Sequence, residues 1–289
     1  MPEFVSHFID AADGLKLHVR VYGGRGSRLP VVCLHGLART GADFHRLAMA
    51  LSSDRQVFAM DYRGRGRSGY DPDPAKYNVG VELGDVLTML TALDIAPAVF
   101  IGTSRGGILT MLLASIRPDL IIGTVLNDIG PMIEPAGLLR IKGYVGKLSQ
   151  PASFAEGGDM LRRLFGAQFT ALTADDWTAF AERTFEVREG RLVPSYDPGL
   201  AQTLVSVDID QPLPTLWPQF DALAGVPVMV IRGENSDLLS PATVDAMRQR
   251  RPDLQVVEVP AQGHAPLLME NGIIERLETF VADCERRQA

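Results

Sequence analysis

The sequence predicts an α/β fold: a mostly parallel, twisted, eight-stranded sheet with helices on both faces and an inserted helical segment. Short apolar runs of strand character alternate with segments of helical period through residues 30–126, and the runs resume at 226. A serine flanked by glycines, Gly102-Thr103-Ser104-Arg105-Gly106, stands where one such run gives way to a helix. Between 132 and 220 the alternation stops, and helix-like segments follow one another with no clear buried strand. Steady strand–helix–strand alternation means parallel strands joined by right-handed crossovers.

In chain order, residues 4–9 and 14–21 alternate as two strands, with Asp13-Gly14 as the hairpin turn. Pro30-Val31-Val32-Cys33-Leu34 is continuously apolar, as a strand buried on both faces is, and it ends in His35-Gly36-Leu37. A helix over 42–51 precedes the strand Gln56–Met60. The helix 80–93 lines up Leu83, Val86, Leu87, Leu90 and Leu93 at i, i+3, i+4 and i+7 spacing. It feeds the strand 97–101, then the serine turn and a helix through Ile108–Ala114. The strand 120–126 closes this part and ends in Asn127-Asp128. Helix-like segments follow near 135–149, 154–169 and 174–185, rich in phenylalanine and holding both tryptophans nearby. The sheet resumes with Val226–Ile231 and Gln255–Val259, separated by a helix that Ser240 caps and Pro241 starts. A last helix turns Ile273, Ile274, Leu277, Phe280 and Val281 inward. The expected division is therefore a core of 1–131 and 221–289, with 132–220 as an inserted helical cap.

Gly64 to Gly69 matches the dinucleotide fingerprint G-x-G-x-x-G in letters only. That fingerprint opens a helix, and Asp71-Pro72-Asp73-Pro74 forbids one here. The three arginines of the segment, Arg63, Arg65 and Arg67, are expected on a solvated surface.

A serine on a sharp strand-to-helix turn needs near-bare neighbours two residues before and after it, because strand and helix almost touch. Gly102 and Gly106 meet that need, and Gly107 relaxes it further. On five letters a glycine-rich turn explains the pattern equally well; the rest of the chain decides. The pattern resembles the nucleophile elbow of the α/β-hydrolase superfamily, and the resemblance extends over essentially the whole chain. It is nearest to the capped serine esterase and lactonase branch, and similar also to C–C bond hydrolases and cofactor-free haloperoxidases. The loop Asp61–Ser68 also looks like a loop common in that superfamily. The resemblance implies Ser104 as nucleophile, and a serine there disfavours the epoxide and halide chemistries that use aspartate. Gly36 lets the chain turn so that the Leu37 amide points into the site, and with the Arg105 amide it forms the expected oxyanion hole.

A serine hydroxyl needs a base to take its proton and a carboxylate to orient that base. Of the five histidines, His7, His18 and His45 lie away from the C-terminal ends of the strands, where sites in open α/β sheets gather. His35 heads the Leu37 turn and braces it. His264, after the last strand, is the expected base. The resemblance implies Asp237, after the penultimate strand, as the favoured acid, and Asp128, at the end of the strand after the elbow helix, as the alternative. The Arg105 side chain is expected either to bind an acidic substrate or to pair inside the protein, with Asp128 as nearest candidate.

Of 289 residues, 46% are hydrophobic and 22% charged, with a net charge of −7. That balance fits a globular chain and disfavours nucleic acid as partner. Neither a signal-like start nor an apolar run of spanning length is present, so a cytoplasmic protein without membrane contact is expected. Cys33 and Cys284 form neither a disulfide framework nor a metal motif. No metal and no cofactor are expected. The reading is a serine hydrolase that cleaves a small carboxylic ester or lactone with an apolar acyl part. A meta-cleavage-type C–C hydrolase and a non-catalytic receptor on the same fold are the alternatives; the sequence leaves the oligomeric state open.

Overall fold

A computed structural model describes residues 3–95, 97–205, 211 and 213–288. Eight strands form one sheet: β1 (Val5–Asp10), β2 (Lys16–Tyr22), β3 (Val31–Leu34), β4 (Val57–Asp61), β5 (Ala98–Thr103), β6 (Ile121–Asn127), β9 (Val228–Gly233) and β10 (Gln255–Val259). Their order is β1-β2-β4-β3-β5-β6-β9-β10. β1 and β2 are antiparallel to their neighbours, and every later pairing is parallel. The expected mostly parallel α/β sheet is therefore the fold.

Alternate residues of each central strand enter opposite cores, because strand side chains point to opposite faces in turn. Val32, Leu34 and Phe100 join one cluster, while Val31, Cys33, Val99 and Ile101 join the other. The helices α1 (His45–Leu51), α2 (Val79–Ala92), α3 (Arg105–Ile116), α8 (Pro241–Arg250) and α9 (Asn271–Arg286) cover these faces. Among the described residues, no helix is long and apolar enough to cross a membrane.

Between β6 and β9 stand α4 (Pro135–Tyr144), α5 (Phe154–Phe165), α6 (Ala174–Thr184), the strands β7 (Phe185–Arg188) and β8 (Arg191–Pro194), and the short α7 (Trp217–Asp221). α5 and α6 pack Leu161, Phe165, Phe169, Trp177 and Phe180 into a small core of their own. The hairpin β7–β8 was not expected. Its turn, Glu189-Gly190, has positive φ at both residues, 50° and 75°, the twist that suits a two-residue hairpin loop.

The expectation of a solvated arginine loop is corrected for two of its three residues. Arg67 is exposed, but Arg63 and Arg65 are buried. Arg63 donates to both carboxylate oxygens of Asp85, at 2.7 Å each, and to Asp71 at 2.8 Å. Arg65 meets Glu82 at 2.7 Å and donates to the Leu37 carbonyl at 2.8 Å. Glu82 and Asp85 both lie on α2, so the carboxylates of one helix let two guanidinium groups leave water.

Candidate active site

β5 ends at Thr103, and the chain reverses into α3 through Ser104 with φ 51° and ψ −111°. A side chain on Gly102 would meet Gly107 N at 2.5 Å, and one on Gly106 would overlap the Leu34 carbonyl. One on Gly107 would overlap Ile129, so this third glycine is required as well.

His264 follows β10 and lies over this turn, its Nε2 2.8 Å from Ser104 Oγ and its Nδ1 2.8 Å from Asp128 Oδ2. The Asp128 carboxylate is fully buried, and it also accepts from the Gly233 amide at 2.8 Å and from Ser236 Oγ at 2.5 Å. As a carboxylate it only accepts, so Nδ1 carries the ring proton and Nε2 is left to accept from the serine hydroxyl. Asn127 secures the loop, donating to Thr103 Oγ1 at 3.0 Å and to the Pro266 carbonyl at 2.9 Å.

The expectation that Asp237 orients His264 is corrected. Arg140, on α4, takes both oxygens of Asp237, at 2.7 and 2.9 Å. Burial alone would raise the Asp237 pKa, but the Arg140 guanidinium holds it below the usual carboxylate value. Sheet register explains why Asp128 stands near Ser104 and so within reach of His264. Thr103 of β5 is level with Asn127 of β6, so the next residues, Ser104 and Asp128, leave the sheet side by side.

Of the two expectations for the Arg105 side chain, pairing inside the protein is the one the structure shows, with the partner corrected from Asp128 to Glu82. Arg105 donates through Nε to Glu82 at 2.7 Å and through Nη2 to the Tyr77 carbonyl at 3.2 Å. It does not border the cavity at Ser104. Its amide and that of Leu37 have no acceptor among the described residues. His35 is buried beneath the Leu37 turn, donating through Nδ1 to the Gly36 carbonyl at 2.7 Å and accepting from the Tyr62 amide at 3.2 Å. Burial pushes its pKa down to about 4, so it is neutral.

A cavity opens over Ser104 and His264. Its far wall is apolar: Leu148, Leu161, Phe165, Phe169 and Phe180 from the insertion, with Leu267 from the loop after His264. Trp177 packs beneath this wall and is not part of it. Sequence reasoning did not single out Arg39, Tyr144, Arg183 and Tyr196, which also line the cavity. Arg39 follows the Leu37 turn closely enough to have been considered. Arg183 and the tyrosines lie in a segment whose path over the sheet no local pattern reveals.

The profile described as the alpha/beta hydrolase family matches residues 31–275. The chain is 33% identical over 273 residues to a 3-hydroxybutyrate-oligomer hydrolase of Cupriavidus necator, covering 91% of this chain and 92% of that protein. It is 28% identical to a 2-(acetamidomethylene)succinate hydrolase of Mesorhizobium japonicum, over 90% of this chain and 89% of the other. A crystal structure of an alpha/beta hydrolase from Novosphingobium aromaticivorans superposes with a TM-score of 0.92 at 38% identity, covering 98% and 99% of the two chains.

Proposed function

The chain belongs to the alpha/beta hydrolase family, and from that premise we propose that it is a serine hydrolase cleaving a small carboxylic ester or lactone through an acyl-enzyme. One observation carries this reading: Asp128, His264 and Ser104 form a continuous hydrogen-bonded chain at the floor of a largely apolar cavity. Ser104 Oγ attacks the ester carbonyl while His264 Nε2 takes its proton, and Asp128 steadies the imidazolium that results. The Leu37 and Arg105 amides, free of other acceptors, receive the oxyanion. His264 then gives its proton to the departing alcohol as the C–O bond breaks. Water, deprotonated by the same histidine, attacks the acyl-enzyme; the bond to Ser104 Oγ breaks, His264 returns its proton to that oxygen, and the acid leaves. Residues 132–220 act as a cap whose phenyl rings receive the apolar part of the substrate.

The relative named for 3-hydroxybutyrate oligomers supports hydroxyacyl esters as the first substrates to try. The test is turnover of the 3-hydroxybutyrate dimer and of p-nitrophenyl butyrate, each with and without a serine-directed phosphonate. Hydrolysis of either, stopped by label on Ser104, is expected. Cleavage of a vinylogous diketone with no ester turned over would overturn the ester reading in favour of C–C hydrolysis.

A further inference from the structure

Among the residues lining the cavity over Ser104, two arginines face a single acidic side chain. Arg39 and Arg183 both line it, and both guanidinium groups lean on the ring of Phe180, 4.7 and 5.9 Å from its centre. Asp43 is the carboxylate between them, and Arg39 holds both of its oxygens, at 2.7 and 2.5 Å. The remaining Arg39 nitrogen donates to Thr184 Oγ1 at 2.6 Å, so Arg39 is satisfied. Arg183 is not. Its Nε stands 4.0 Å from Asp43, its side chain is 16% exposed, and its buried Nη2 has no hydrogen-bond partner.

A guanidinium withdrawn from water without a matching anion is costly. Burial and the neighbouring charge of Arg39 both act against the charged form of Arg183 and prevail over Asp43, Glu182 and Asp176, which favour it. Arg20, Arg65 and Arg140 also have a buried nitrogen without a partner, but none of them borders this cavity, so among the described residues Arg183 is the arginine that brings such a nitrogen to it. Arg183 and Asp43 also border a second, outer pocket, which sets Arg183 between the reaction chamber and the surface.

We propose that Arg183 is the receptor for a carboxylate of the substrate, so that this site cleaves esters whose alcohol or acyl part ends in a free acid. The inference rests on the ester-hydrolase reading and narrows it to a substrate class. A single unpartnered buried nitrogen, on an arginine that already has Asp43 4.0 Å away, calls for one small acceptor, which suits a carboxylate better than a phosphate dianion. The apolar body of the ester lies against Phe165 and Phe169, and its charged end turns toward the outer pocket.

The experiment compares the 3-hydroxybutyrate dimer with its neutral terminal carboxamide, using wild type, Arg183→Met and Arg183→Lys. Wild type should favour the acid by about thirtyfold or more in kcat/KM, carried mainly by KM. Arg183→Met should erase that preference, and Arg183→Lys should keep part of it. Removing an unpaired buried charge should leave the melting temperature equal or higher. Equal handling of acid and carboxamide by wild type would overturn the proposal. So would a Met variant that loses both substrates alike or melts several degrees lower, since either marks Arg183 as a brace. If neither the dimer nor p-nitrophenyl butyrate is hydrolysed, the ester reading falls on its own. Calorimetric binding of the same two compounds to Ser104→Ala then decides: a preference for the acid that Arg183→Met abolishes upholds the carboxylate receptor, and equal affinity overturns it.

Discussion

Arg140 grips Asp237 through two parallel N–H···O bonds, while the Asp237 carbonyl accepts from the Gly137 amide at 2.9 Å. The aspartate that the family resemblance implied as the partner of His264 thus ties α4 to the loop after β9. Asp128→Asn should therefore cost on the order of 10⁴ in kcat by favouring the wrong imidazole tautomer. Asp237→Asn should cost less than about tenfold and act on stability, through the weakened hold on Arg140. Steady-state kinetics and urea unfolding of both variants check this assignment, and the reverse ranking would return the role to Asp237.

Ser104→Ala should lower turnover by several orders of magnitude, since the members of such a triad act as a unit. Its unfolding curve should match wild type closely, because φ of 51° strains an alanine at this turn as much as a serine. Phosphonate labelling followed by peptide mass spectrometry should find Ser104 alone. Label elsewhere, or an active alanine variant, would remove the nucleophile from this position.

Glu82 is buried between Arg65 and Arg105. Burial raises its pKa, but the two guanidinium charges outweigh that and hold it below the ordinary glutamate value. A lowered folded-state pKa adds stability above the unfolded value, and that contribution fades as pH falls through the folded one. Glu82→Gln should destabilise by about 3–5 kcal/mol at neutral pH, because it strands two buried cations. It should also slow turnover, since Arg65 donates to the carbonyl of Leu37, whose amide faces the reacting carbonyl in the proposed mechanism. Denaturant midpoints and kcat measured together test both parts; unchanged values in each would contradict the linkage.

His35 gives the pH dependence a second source. It is buried and neutral with a pKa of about 4, against 6.5 when unfolded. The unfolded chain therefore binds a proton that the folded one refuses. The resulting stability is complete above about 6.5 and declines as pH falls toward 4, by roughly 3 kcal/mol at most. Unfolding free energies measured over that range should slope less steeply in His35→Gln than in wild type. Identical slopes would mean that His35 takes up its proton in the folded state.

The sheet and the turn at Ser104 were legible because each depends mostly on near neighbours in the chain. Gly102 is demanded by contacts within one strand–turn–helix, Gly106 by the Leu34 carbonyl of the adjacent β3, and the continuous apolar runs announce buried strands by themselves. Arg63 and Arg65 were misread because an arginine-rich loop has the same letters whether it is wet or buried. What buries it is the pair Glu82 and Asp85 on another element. The choice between Asp128 and Asp237 depended on Arg140, in a segment whose placement over the sheet no local pattern encodes. The hairpin at Glu189-Gly190 did leave a signal, two short alternating runs about a glycine, hidden among helices. Arg183 left none, since its meaning arises only where α6 meets the Asp43 turn.

The chain departs the sheet after β6 and rejoins it at β9, and these two strands pair side by side, Thr124 level with Val228. Both ends of the excursion are thus moored at one place, and the entropy of closing such a loop grows only slowly with its length. Descent can therefore work on the two portions separately. Recombination that replaced residues 132–220 wholesale would leave Ser104, Asp128 and His264 in their parent strands while carrying Arg183 and its neighbouring phenyl rings away. A chimera built at those joints with a relative's segment should keep phosphonate labelling of Ser104 and adopt the donor's ranking of substrates. Reactivity would then be inherited through the sheet, and appetite through the graft.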